Sequence, residues 1–219
     1  MYNEFLFFMQ TTVLGLASFG ASLLGPHALV SFICLQALCA NIFVAKQIII
    51  FGLHATCADA FSVSAAIALI LAQEQYGYQL AKNAVFISFG SMIFFSIISQ
   101  LHLLYIPIIT DTAHIHYQEL FSPMPRIMIA SLMAFFIAQL SDMYGYRLMR
   151  KVPISPLIAS PLTIAISQLI DTILFTFLAL STITNHPFEI ITISYSIKMA
   201  AACLIFIGAR CMKYASATL

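Results

Sequence analysis

"SPLTIAISQLIDTILFTFLAL" (residues 160–180) is an apolar run with a single charged group, Asp171, near its middle. The charge-poor stretch around it extends over about 27 residues, from 156 to 182. A hydrocarbon core roughly 30 Å thick is crossed by about 20 apolar residues rising 1.5 Å each, so the segment reads as a membrane-spanning helix. Lipid offers the backbone no hydrogen-bond partners, and the run is far longer than a spanning strand, which leaves the helix as its only economical form. Some thirty residues earlier, "IAQLSDMYG" (137–145) repeats the same Gln-Leu-x-Asp order inside another apolar stretch. Buried carboxylates in lipid demand a reason, and here there are two.

The whole chain has this character. Of its 219 residues 62% are hydrophobic and only 8% charged, with mean hydropathy +0.99. A soluble domain carries about a quarter charged residues, so this composition cannot cover a water-facing surface. Seven windows are long and apolar enough to span: about 5–24, 27–46, 56–74, 83–108, 125–149, 156–182 and 190–212. Turn-forming residues separate them: Gly25-Pro26, Gly77, Pro123 and Pro125, Pro153 and Pro156, and Pro187. The expected fold is all-α: a polytopic bundle of about seven transmembrane helices forming one membrane domain over 1–219. The third window is the least regular, and "KQIIIFGLHATCADAF" (46–61) reads as partly re-entrant. The opening "MYNE" carries an acid and no basic residue, and the apolar run behind it is too long for a signal peptide.

Basic residues give an expected orientation. Arg147, Arg150 and Lys151 crowd the connection between spans five and six, Arg210 and Lys213 follow span seven, and Lys82 lies between spans three and four. In a seven-span path these fall on one side, which makes that side cytoplasmic and the N-terminus external. Lys46, at the outer end of span two, departs mildly from the pattern. The opposite loops, such as "TDTAHIHYQEL" (110–120), carry acids and histidines.

Several function classes lose support. A net charge of +1 without a basic run gives no nucleic-acid footprint. The five cysteines (Cys34, Cys39, Cys57, Cys203 and Cys211) form no CxxC pair and read as small helix-packing residues. No HExxH, GxSxG or phosphate-loop motif occurs, so neither an enzyme nor an ATPase is expected, and no cofactor or metal.

Attention therefore falls on polar groups inside the spans. Gln and Asp at i and i+3 share a helix face, so Gln139 with Asp142 and Gln168 with Asp171 form two polar edges. Counted from the outer ends at about 1.5 Å per residue, Gln139 and Gln168 lie about 20 Å down, Asp171 near 16 Å and Asp142 near 24 Å. Lys198, in "ISYSIKMAAACL", lies roughly 12–14 Å down and is the natural counter-charge. A lone charge at mid-bilayer costs about 3 kcal/mol on insertion scales. Interhelical hydrogen bonds return only ~0.6 kcal/mol each, so packing alone explains the two acids poorly, although it is a fair account of Asn41 and Gln36 on span two. Phe135 and Tyr195, close to the cluster in sequence, are candidate stacking surfaces.

These residues carry a family resemblance. "PRIMIASLMAFFIAQLSDMYGYRLMR" (125–150) and "SPLTIAISQLIDTILFTFLAL" (160–180) are similar to segments of the queuosine precursor transporter family of bacterial integral membrane proteins. "EQYGYQLAKN" (74–83) resembles that family's Glu-x-Tyr-Gly segment, which brings in Glu74, and "SYSIKM" (194–199) its Tyr-x-x-Lys. "CANIFVAKQ" (39–47) adds Asn41. The resemblance spans about 39–212 and leaves the first helix over as an addition to a six-helix core. It implies uptake of 7-deazaguanine bases (preQ0, preQ1 or queuine) across the bacterial inner membrane for tRNA modification, with a homodimer as a further expectation. One departure stands out: members commonly carry an Asp four residues before the Glu, where this chain has Ile70. Two other readings compete, a substrate-capturing subunit of an ATP-driven vitamin-type importer and a membrane scaffold whose polar pairs only join helices.

Overall fold

The structure, a computed structural model, describes the backbone of residues 2–149, 151 and 156–217. The side chains at 139, 142, 143, 146, 147, 149, 156–161 and 204–217 lie outside the described set.

Seven long helices account for the seven apolar windows: α1 (Tyr2–Leu23), α2 (Pro26–Phe43), α3 (Asp59–Tyr76), α4 (Tyr78–Leu103), α6 (Met124–Met149), α7 (Pro156–Phe175) and α8 (Pro187–Ala217). Among the described residues, five segments are long and apolar enough to cross a membrane, including α1, α2 and α4. Helix α3 ends in Gln73-Glu74-Gln75, which lowers its mean hydropathy. The outward surface is apolar, with Phe86, Phe94 and Phe136 all more than 60% exposed, as helices packed against lipid require. The inward faces carry small residues at helical spacing instead. On α4 these are Ala81, Ala84, Ser88, Ser96 and Ser99, and on α3 Ala60, Ser64, Ala68 and Ala72, which let backbones approach closely.

Two elements depart from the windows. Residues 47–56, read as partly re-entrant, form a β-hairpin in which Gln47–Ile50 (β1) pairs antiparallel with Leu53–Thr56 (β2). Its two-residue turn, Phe51-Gly52, has positive φ at both positions, the geometry whose twist matches paired strands. Glycine takes that conformation freely, whereas Phe51 is held there by a bond from its N–H to Glu4 Oε1 at 3.0 Å. Strands too short to span are stable here because they pair with each other. The second departure is α5 (Ala113–Phe121), a short exposed helix in the segment read as a loop.

Helix α4 also starts five residues before its window, because its first turn, Tyr78-Gln79 to Lys82, is polar yet helical. The single residue Gly77 joins it to α3 at φ 90°, a conformation that suits glycine. At the far end of α7 the helix widens into one π turn, Thr176–Leu180. Arg126 of α6 clamps that end: Nε donates to Leu178 O at 2.7 Å, and Nη1 and Nη2 donate to Thr182 and Ser181 Oγ atoms at 2.6 Å. The guanidinium thus serves carbonyl and hydroxyl groups that the irregular turn leaves over.

Candidate functional site

Helices α2, α3, α6, α7 and α8 converge on a charged pair. Lys198 Nζ donates to Asp171 Oδ2 at 2.7 Å and to Thr172 Oγ1 at 3.1 Å. Both charged side chains are about four-fifths buried, so this is an interior bridge rather than a surface one. The counter-charge expected from the sequence is therefore present, at 12 Å or so along α8 from Ile190.

A second acid joins them that the spacing arguments passed over. Asp59, at the start of α3, is 5% exposed and accepts a 2.8 Å bond on Oδ2 from the Ser194 hydroxyl, with Thr56 Oγ1 3.5 Å away. Its segment, "TCADAF", lies at the break between hairpin and helix, where a hydropathy window gives an acid no special weight. The signal available was its place: an acid at the edge of the stretch that would not read as a clean helix.

Two cavities meet at the bridge. The smaller, about 120 Å³, lies toward the hairpin and is lined by Thr56, Asp59, Thr176 and Ser194 among others. The larger, about 630 Å³, extends along the helices away from the hairpin, past Ile70, Phe89, Phe135, Ser167 and Gln168. Asn41, Ser62, Ser131, Asp171 and Lys198 border both. Volumes of roughly 300–1,000 Å³ are typical of small-molecule sites. Two amide side chains pack behind the wall. Asn41 donates through Nδ2 to Ala37 O at 2.8 Å, and its buried Oδ1 has no partner among the described residues. Gln36 donates to Ser18 Oγ at 3.1 Å, and its buried Oε1 is likewise unpartnered there. Phe135 meets Phe89 edge to face, with ring centroids 5.0 Å apart.

The structure thus gathers Asn41, Phe135, Gln168, Asp171 and Lys198 around one space. The side chains of Gln139 and Asp142 lie outside the described residues. Glu74 and Tyr195 line neither cavity. Glu74 is exposed and lies fifteen positions beyond Asp59 on α3, about 22 Å farther along the helix. Tyr195 is half-buried, but the cavity-facing row of α8 runs Ile190, Ser194, Lys198 and Ala202 at four-residue steps, and Tyr195 is turned about 100° from it.

Comparison with known proteins places this geometry. The family model described as "Putative vitamin uptake transporter" matches residues 58–209, which takes in α3 through most of α8 and both acids of the site. The chain belongs to this family. It is also 31% identical over 158 residues to a Bacillus subtilis (strain 168) protein named "Probable queuosine precursor transporter", covering 71% of this chain and 69% of that one. No solved structure matches. The fold, the family and the apolar helices together make the chain a multi-pass membrane transporter. The match leaves out α1, α2 and the hairpin, so the family's core meets Asn41 and Thr56 across elements beyond the matched segment.

Proposed function

We propose that the protein imports queuosine precursors, 7-deazaguanine bases, through the space around Asp171 and Lys198. The observation that carries this reading is the charged lining: the carboxylates of Asp59 and Asp171 and the Lys198 ammonium border one cavity system. A guanine-like edge presents an N–H and an exocyclic NH2 side by side, which a carboxylate accepts as a pair. The flat ring finds the Phe135–Phe89 surface on the larger cavity's side. The 31% identical relative bears a name with the same substrate class, which supports the assignment.

The bridge supplies a mechanism. Asp171 and Lys198 line both cavities, and each holds the other's charge. A base that donates to Asp171 competes with Lys198 for it, so the pair loosens only when a ligand replaces the lost bonds. Binding at a helix-lined midplane site between two compartments is how many carriers alternate access. The basic inner turns put the hairpin end outside and the larger cavity toward the cytoplasm. Gln139 and Asp142 are assigned to the same site on their shared face in α6, as the second Gln/Asp edge. Of the alternatives, a substrate-capturing subunit would need a separate ATPase and would co-purify with it; uptake by the protein alone argues against that version.

The test is restoration of queuosine in tRNA, in cells lacking both synthesis and import, with preQ0, preQ1 and queuine supplied in turn. Recovery with at least one precursor supports the reading. Failure with all three, at normal expression, rejects 7-deazaguanines as substrates.

A further inference from the structure

Outside the cavities, the hairpin and the N-terminus of α8 bring three ligand-bearing side chains together. The His54 ring on β2 stacks on that of His186, just before α8, with centroids 3.9 Å apart and planes 3° from parallel. Glu189, in the first turn of α8, accepts the His54 backbone N–H on Oε2 at 2.9 Å, and its Oε1 lies 3.1 Å from His186 Nδ1. One ligand atom from each of the three lies within 4.8 Å of the others. We propose that His54, His186 and Glu189 bind a borderline divalent transition-metal ion of the zinc type, which staples the hairpin to α8.

The chemistry of the donor set favours such an ion. Two imidazoles and a carboxylate suit zinc, cobalt or nickel, whereas calcium and magnesium prefer oxygen alone. Bonds of about 2.0–2.1 Å put tetrahedral ligand atoms some 3.3 Å apart, so the widest pair must close by at most about 1.5 Å. The stacked rings hold their in-plane lone pairs parallel, so His186, nearly half exposed, must swing out of the stack to share an ion with His54. The backbone around the three groups is already fixed. Gln47 of β1 donates to Ile183 O at 2.9 Å and accepts from Thr184 Oγ1 at 3.1 Å, and Thr184 Oγ1 in turn accepts the His186 N–H at 3.1 Å. Glu189 Oε2 already bonds the His54 peptide, which leaves Oε1, beside His186, to face an ion. The proposal stands apart from the transport reading and uses none of the residues of the bridge.

Purified full-length protein in detergent, stripped with chelator, tests it by titration with zinc and, separately, with cobalt. One zinc per chain is expected, with the visible absorption of a four- or five-coordinate centre on cobalt loading and slowed amide exchange across residues 47–56. His186→Ala and Glu189→Gln should each weaken zinc binding by roughly tenfold or more, since a lost ligand costs at least as much as a lost outer-shell contact. His116→Ala, on the exposed helix α5, should leave it unchanged. Monodisperse elution of each variant checks that it folds. Zinc binding that survives both His186→Ala and Glu189→Gln, binding abolished by His116→Ala, or no stoichiometric binding at all would overturn the assignment.

Discussion

Among the described residues, two polar clusters of the interior are of opposite kind. Between α1, α2 and α3, the Ser18 hydroxyl lies 3.1 Å from Ser64 Oγ and accepts from Gln36 Nε2 at 3.1 Å. No charge is involved, Ser18 and Ser64 are fully buried, and of the three residues only Gln36 reaches either of the two cavities, at the edge of the larger one. Between α3, α7 and α8, by contrast, Asp59, Asp171 and Lys198 surround open space. Hydroxyls and amides bury at modest expense once paired, and they join helices. Carboxylates and ammonium groups cost several times more and gain only when something polar is to be received. The two serines fill their space, whereas the charged cluster encloses some.

Substitution can break this contrast at its strongest point first. Asp171→Asn keeps the shape but removes the paired acceptor and strands Lys198; uptake of labelled precursor should fall at least tenfold at matched expression, equivalent to about 1.4 kcal/mol or more of lost binding. Wild-type uptake in this variant would move the site elsewhere. Lys198→Met leaves Asp171 without its counter-ion and should reduce both uptake and membrane expression. Adding Asp171→Asn to it removes the orphaned charge, so the double variant should express better than Lys198→Met alone, as measured by fluorescence-detected chromatography. Equal expression of the two would show that the bridge contributes no stability. Asp59→Asn keeps the bond from Ser194 and spares the bridge, so a smaller loss of uptake is expected, read as a raised half-saturation concentration. On the other side of the comparison, Ser64→Ala should cost about 0.6 kcal/mol of stability and change uptake less than twofold. A tenfold transport defect from this serine would erase the distinction drawn above. The smallest effect belongs to Gly145→Ala: the new methyl would meet Thr163 Cγ2 at 3.4 Å, ordinary contact, and thermal stability in detergent should barely move.

The sequence predicted helices where apolar length alone decides, and these are seven in number. It failed where tertiary pairing decides. The hairpin depends on bonds to Glu4 and, through Gln47 and His54, to Ile183, Thr184 and Glu189, partners up to 137 positions away, and no local period announces them. At the site, Asp171 and Lys198 are legible because Asp171 is the lone charge of its apolar run and Lys198 lies twelve residues before the next charge of its own run, and their similar depth follows from counting residues. Asp59 was not, since it begins a helix and looks like an ordinary first-turn acid. Glu74 was carried by resemblance to a motif, and its position at the far end of α3 separates it from the cavities by a length that helix rise alone predicts.

The bridge has an electrical consequence. Asp171 and Lys198 sum to zero charge, so membrane voltage does no net work on them while they move together. A full elementary charge crossing the same field is worth about 2.3 kcal/mol per 100 mV. Passage of a neutral base past an intact pair is therefore silent to an electrode. Asp59, which accepts from Ser194 one turn along α8 from Lys198, stands outside that neutral pair, so any charge it carries is felt by the voltage.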